Sequence, residues 1–215
     1  MSVVTRRIGL RGRQRGVTLI EALAAFVILS IGLLGIVSLQ ALSKSAQHQA
    51  VQRSRAVTLG NDLLERIRVN PAGLEFYVVA DDAPVGGGTF EEAPDTDCAA
   101  AVCTPEALAA YDLWRWEQTL DGAAVTITED AVTANTAGLI DPRGCTVFEA
   151  DPNKDRTGTM NVIIQWRGLS ESTDAVAVGE IACGGAVSGS DPFRRQVIVS
   201  SYVIDEDEIC NVTPC

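Results

Sequence analysis

Histidine is almost absent from this 215-residue chain; His48 is the only one. Nucleophilic sites of the Ser-His-Asp or Cys-His kind need a histidine beside the nucleophile, so everything after residue 48 lacks their central base. Cysteine occurs six times but never as Cys-x-x-Cys, the spacing a thiol-disulfide oxidoreductase uses. Gly86-Gly87-Gly88 is followed by no Gly-Lys-Ser/Thr and sits among acids, which excludes a phosphate-binding loop. Asp151-Pro152-Asn153-Lys154-Asp155 offers the first three ligand positions of a calcium loop. Its turn glycine is replaced by Arg156 and its bidentate glutamate by Val162, so a solvated turn is the better reading. No enzyme, metal or cofactor is expected. Acid is missing from the first sixteen residues, which instead carry Arg6, Arg7, Arg11, Arg13 and Arg15. Basic stripes are missing from the remainder. Without those five arginines, twelve basic residues face 28 acidic ones, a net charge of −16, which argues against nucleic acid and against a head lying on anionic lipid.

What is present begins at Val17. From there to Leu39 the chain is apolar apart from a single charge, Glu21. As a helix rising ~1.5 Å per residue, the segment reaches ~34 Å, enough to cross a bilayer's hydrocarbon core. The arginines ahead of it hold the N-terminus in the cytoplasm and send the rest across the membrane. A carboxylate inside such a span costs ~2.5–3.5 kcal/mol near the bilayer centre, so Glu21 calls for a partner. Cleavage between Gly16 and Val17 would create one, the α-amine of a neighbouring copy.

Gly16-Val17-Thr18-Leu19-Ile20-Glu21 before an unbroken apolar helix resembles the class III signal of type IV pilins and type II secretion pseudopilins. The runs Leu29 to Gln40 and Arg68-Val69-Asn70-Pro71-Ala72-Gly73 resemble the minor pilins called type IV pilus modification protein PilV. The resemblance implies cleavage after Gly16 by a prepilin peptidase, N-methylation of Val17, and Glu21 as the subunit-pairing residue. It also implies other minor pilins, a major pilin and an inner-membrane assembly platform as partners. Val17 departs from the family's usual phenylalanine, which bears on methylation efficiency rather than cleavage. On this reading residues 1–16 are a leader, 17–39 the transmembrane and assembly helix, 40–70 its amphipathic continuation, and 71–215 a periplasmic head. The implied role is a minor pilin helping to initiate a type IV pilus, with its attendant motility and adhesion. A minor pseudopilin of a type II secretion system and a pilus-borne adhesin are the alternatives.

Beyond the membrane segment, no proline interrupts Gln40–Asn70, and Ala56, Leu59, Leu63 and Ile67 share one helical face. Pro71 and Gly73 predict the helix's end. The next stretch, Leu74 to Thr96, reads as a flexible, solvated loop with a short strand at Phe76–Val79. Thr104-Pro105-Glu106 starts a second helix running to about Leu120, with Ala109, Leu113, Trp116 and Leu120 as its stripe. Trp114 and Trp116 read as two anchors of that helix on a sheet. After Gly122, alternation at Val125–Thr128, Asn161–Arg167 and Val197–Val203, with weaker runs at Cys145–Phe148 and Ala175–Ile181, predicts an antiparallel meander covered by the long helix. The class is therefore α+β, the type IV pilin fold. The even set of cysteines, all past the span, predicts disulfides in an oxidising periplasm. Proximity suggests Cys98 with Cys103, Cys210 with Cys215, and Cys145 with Cys183.

Overall fold

The structure, a computed structural model, describes residues 16, 18–90, 92–123, 125–129, 132–135, 137–154, 156–171, 183–184 and 191–205. Its first element is α1, Leu19–Val69, and the chain divides within that helix into two compact units, Met1–Ala46 and Gln47–Cys215.

Within the second unit, α1 buries Gln52, Ala56, Gly60, Leu63, Leu64 and Ile67. Gly60 sets the closeness of that packing, since a Cβ there would lie 2.9 Å from a Val199 methyl. The helix stops where Pro71 removes a backbone donor and biases Asn70 away from helical geometry. The strand expected at Phe76–Val79 does not form. Instead Pro71–Tyr77 makes a 3₁₀ helix, and only Val79 makes an isolated bridge, to Thr146. The tighter turn carries the Tyr77 side chain inward, where it is fully buried.

Helix α2, Pro105–Leu120, is capped by Thr104, whose hydroxyl accepts from the Ala107 amide at 3.2 Å. Its buried face holds Ala109, Leu113, Trp116 and Leu120. Trp116 is the anchor; its indole N–H donates to the Leu59 carbonyl at 3.0 Å. Trp114 is only half-buried and pairs with Tyr111 (ring centroids 5.7 Å apart), so the expectation of two anchoring tryptophans is corrected to one. Residues i and i+2 of a helix point in different directions, so the pair could not share one buried face.

The expected single meander is likewise corrected to two sheets. β1 (Thr126–Glu129) and β2 (Val132–Asn135) form a separate antiparallel hairpin, with β1 exposed along its length. β3 (Arg143–Ala150), β4 (Gly158–Arg167) and β5 (Arg194–Val203) form an antiparallel sheet with β4 central. Met160, Val162, Ile164 and Trp166 on one face of β4 join the α1–α2 core. On the other face Ile163 packs with Cys145, Cys183 and Val147. The result is a long helix and a short one over a three-stranded sheet, an α+β, type IV pilin-like arrangement. The candidate strand at Ala175–Ile181 lies outside the described residues.

Candidate processing and assembly segment

At the N-terminal end of α1, Gly16 is exposed and belongs to no regular element, with nothing within 4 Å of the position a Cβ would take. Val17 lies outside the described residues. Thr18 is the helix cap: its carbonyl accepts from the amides of Glu21 and Ala22, both at 3.1 Å, and its hydroxyl lies 3.4 Å from the Glu21 amide. Thr18 and Glu21 thus stand three apart in the capping-box pattern, with the acid in the first turn, where the helix dipole favours negative charge. The cap is a role that the signal-motif reading missed, although Thr-x-x-Glu ahead of an apolar run carries it.

The apolar stretch has a mean hydropathy of 2.6 over its best 18 residues, none of them buried. Leu19, Phe26, Ile28 and Leu34 are each more than two-thirds exposed. The few polar side chains hide their hydrogens. Ser30 donates to the Phe26 carbonyl at 2.8 Å and Ser38 to the Leu34 carbonyl at 3.0 Å, each one turn back. Such a surface has no partner among the described residues of its own unit and suits lipid or other apolar helices.

In the head, Cys98–Cys103 closes the loop before α2 and Cys145–Cys183 ties Cys183 to β3, each with Cα atoms 5.6 Å apart. Cys210 and Cys215 lie outside the described residues. Asp151 accepts from the Asn153 amide (3.1 Å) and the Tyr202 hydroxyl (3.2 Å), so its oxygens serve a turn, and Asp155 is outside the described set. Among the described residues no cluster of three or more His, Cys, Asp or Glu is placed to hold a metal.

Two polar assemblies went unseen in the sequence. Glu117 in the last turn of α2 and Asp121, its C-cap, gather the amides of residues 86–90: Gly86 (3.1 Å), Thr89 and Phe90 (2.8 Å) on Glu117, Gly87 (2.8 Å) and Gly88 (3.1 Å) on Asp121. The glycine loop is therefore held by carboxylates, which corrects its reading as flexible, while Gly87, Gly88 and Thr89 are exposed, as its reading as solvated has it. A triple glycine followed by an acid pair on the next helix was the available signal. The second assembly joins α1, the 3₁₀ turn and α2. Tyr77 donates to Asp112 at 2.6 Å, Arg66 donates to Asp112 and Asp62 at 3.0 Å, and Asn70 donates to the Pro105 carbonyl at 2.8 Å. Burial, then the bond to Asp112, holds the Tyr77 phenol well above its ordinary range. Burial works against the charge on Arg66, but its bonds to Asp62 and Asp112 win and its pKa is raised.

Comparison with known proteins gives two adjoining matches. The family model described as the prokaryotic N-terminal methylation motif matches residues 11–37, and the model described as type IV pilin Tt1218 matches residues 38–114. No curated protein and no solved structure matches the chain. The methylation motif implies prepilin-peptidase processing and pilus assembly, and with the exposed apolar helix it fits a membrane anchor that passes into a pilus. Signal, anchor, capped helix and α+β head agree with those matches: over residues 11–114 the chain is similar to type IV pilins.

Proposed function

We propose that the protein is a minor pilin that enters a type IV pilus and helps to initiate its assembly. Prepilin peptidase cuts between Gly16 and Val17 on the cytoplasmic face, Val17 is N-methylated, and the head stands in the periplasm until the platform extracts the subunit. Other minor pilins and the major pilin are its neighbours in the filament. The observation that carries this reading is Glu21, the one charge between Val17 and Leu39, held in the first turn of a helix capped two residues past Gly16.

In a bundle of helices a lone carboxylate is costly, and pairing with the α-amine of Val17 on an adjacent subunit offsets that cost at only one axial offset. Glu21 then acts as a register key. The pilus modification protein resemblance and the pilin match over residues 38–114 support this role ahead of a secretion pseudopilin or an adhesin.

Gly16→Glu should leave full-length precursor in the inner membrane and none in filaments. Normal protein whose N-terminal sequence began anywhere but Val17 would overturn the reading. Glu21→Gln and Glu21→Ala should both be cleaved normally yet be recovered poorly from sheared pili. Normal incorporation of Glu21→Ala would remove the register role.

A further inference from the structure

The core takes Trp116 from α2 and leaves Trp114 outside it. Their polar atoms differ as well. Trp116 donates its indole N–H to the Leu59 carbonyl. The indole N–H of Trp114, the guanidinium of Arg115 and the side-chain amide of Gln118 make no hydrogen bond or ion pair among the described residues. Gln118 lies one turn beyond Trp114, with Arg115 beside them, so the three share one stretch of helix surface. Tyr111, one turn back, meets Trp114 at 5.7 Å with the rings tilted by 46°.

Beside Trp114 lies an open groove of about 270 Å³, lined also by Arg115, Gln118, Thr119 and Ala123. Tyr111 is not in that lining; it backs the indole and limits its rotation, which preorganises the ring. A second groove, of about 350 Å³, begins at Thr119, which lines both, and has Leu59 and Leu139 among its walls. Arg55 lies in it with its guanidinium on the Ala137 carbonyl at 2.8 Å, and Ser54 and Thr58 add hydroxyls. No carboxylate is among the described residues that line either groove, in a chain with 28 acids.

A pyranose ring has faces of C–H groups, weakly positive at hydrogen, that rest on the negative face of an indole. Its rim carries hydroxyls that both donate and accept, which suits an amide offering both and a planar guanidinium with donors in a fixed fork. A cation would need the carboxylates that the lining lacks, and an apolar helix would bury Arg55, Arg115 and Gln118 without partners. Each groove is near the ~300 Å³ lower bound of pockets for drug-sized ligands, room for one ring. We propose that the two grooves meeting at Thr119 form a glycan-binding track, with one pyranose stacked on Trp114 beside Arg115 and Gln118 and the next against Arg55. The track uses none of the residues from Gly16 to Glu21, so this activity stands beside entry into a pilus.

The test holds the full mature chain in a detergent without a sugar headgroup and adds cellobiose, lactose, mannobiose or chitobiose, with glycerol as the polyol control. Saturation-transfer NMR reads binding. Half-saturation near ~1 mM is expected for at least one disaccharide, with transfer strongest at the C–H protons of one ring. The matching monosaccharide, filling one groove, should bind ~tenfold more weakly. Trp114→Ala and Gln118→Ala should each weaken disaccharide binding ~fivefold, Gln118→Ala with an unchanged melting midpoint. These sugar readouts involve neither cleavage nor assembly, so their failure would leave the pilin reading standing. No transfer to any of the disaccharides would overturn the proposal, as would transfer equal to glycerol's or transfer that both variants leave intact. Equal affinity for monosaccharide and disaccharide would overturn the track across Thr119. A Trp114→Ala chain that binds sugar normally but is recovered poorly in sheared pili would make this face a subunit contact and overturn the proposal too.

Discussion

Leu33, Leu34 and Ile36 are more than half exposed, whereas Leu63, Leu64 and Ile67 on the same helix are at most 2 % exposed. The residue types are alike; the surroundings are not. Around Leu63 the chain supplies its own partners, from Leu113 and Trp116 on α2 to Val162 and Ile164 on β4. Around Leu34 the described residues of its unit supply none, and an unpartnered apolar surface of that extent suits a helix made for a different solvent. One helix therefore carries two kinds of stability, one internal to the chain and one that waits for lipid or other subunits. Mutations should sort accordingly: changes near Leu63 should move the melting of the head, and changes near Leu34 should not.

The sharpest break should come from Trp116→Ala. The indole is fully buried, bonds the Leu59 carbonyl and fills the space beside Gly144. Its loss should destabilise the head by ~3–5 kcal/mol, read as a lower denaturation midpoint of the chain in detergent. Leu34→Ala in parallel should leave that midpoint in place.

Thr146→Val should cost less, ~2 kcal/mol. The Thr146 hydroxyl donates to the Tyr77 carbonyl and accepts from the Val79 amide at 2.7 Å, inside the core. Valine keeps the shape but leaves two buried backbone groups unpaired. A midpoint unchanged by this substitution would show that the 3₁₀ turn is held by packing alone.

Tyr77 gives a smaller and pH-dependent effect. Its folded pKa lies above the unfolded value of about 10, so the folded form holds its proton where the unfolded form loses it. The stabilisation is whole below pH 10 and declines as pH rises past it, by ~1 kcal/mol between pH 10 and 11. Tyr77→Phe should be less stable at pH 8 and lack that alkaline slope. Parallel slopes in the two proteins would sink the assignment.

How much of this could be read from sequence depends on the range of the interactions. The limits of α1 and α2 rest on near neighbours, Thr18 and Pro71 for one, Thr104 and Pro105 for the other, and both were legible. The buried stripe of α2 and the apolar face of β4 were legible for the same reason, a fixed period. Phe76–Val79 has strand-like residues, yet the turn there is set by Tyr77 reaching Asp112 and Thr146, 35 and 69 residues away. Alternation at Val125–Thr128 marked a strand correctly but could not say that Val125 and Ile127 would be about half exposed on a separate hairpin. The Glu117–Asp121 grip on residues 86–90 needed the fold to bring together a loop and a helix that composition assigned to different fates. At the N-terminus the start of the apolar helix was legible from a run of adjacent residues, whereas the Thr18 cap, carried by the same string, was not read.

The smallest effect is expected where the chemistry resembles that of Thr146 but the surroundings differ. Ser38 also carries a hydroxyl bonded to a backbone carbonyl, that of Leu34, one turn back. That carbonyl already accepts a helical bond, so removing the hydroxyl leaves no backbone group unpaired. Ser38→Ala should change neither head melting nor insertion beyond ~0.5 kcal/mol, since alanine also has the higher helix propensity. Ser30→Ala, bonded to the Phe26 carbonyl, should behave the same way. The measurements are the denaturation midpoint and the fraction of chain fractionating with membranes. Should Ser38→Ala enter membranes normally yet be recovered poorly in sheared pili, the hydroxyl would be bonding a neighbouring helix in the filament. The contrast between the two halves of α1 would then sharpen, with a polar contact as well as an apolar surface reserved for other subunits.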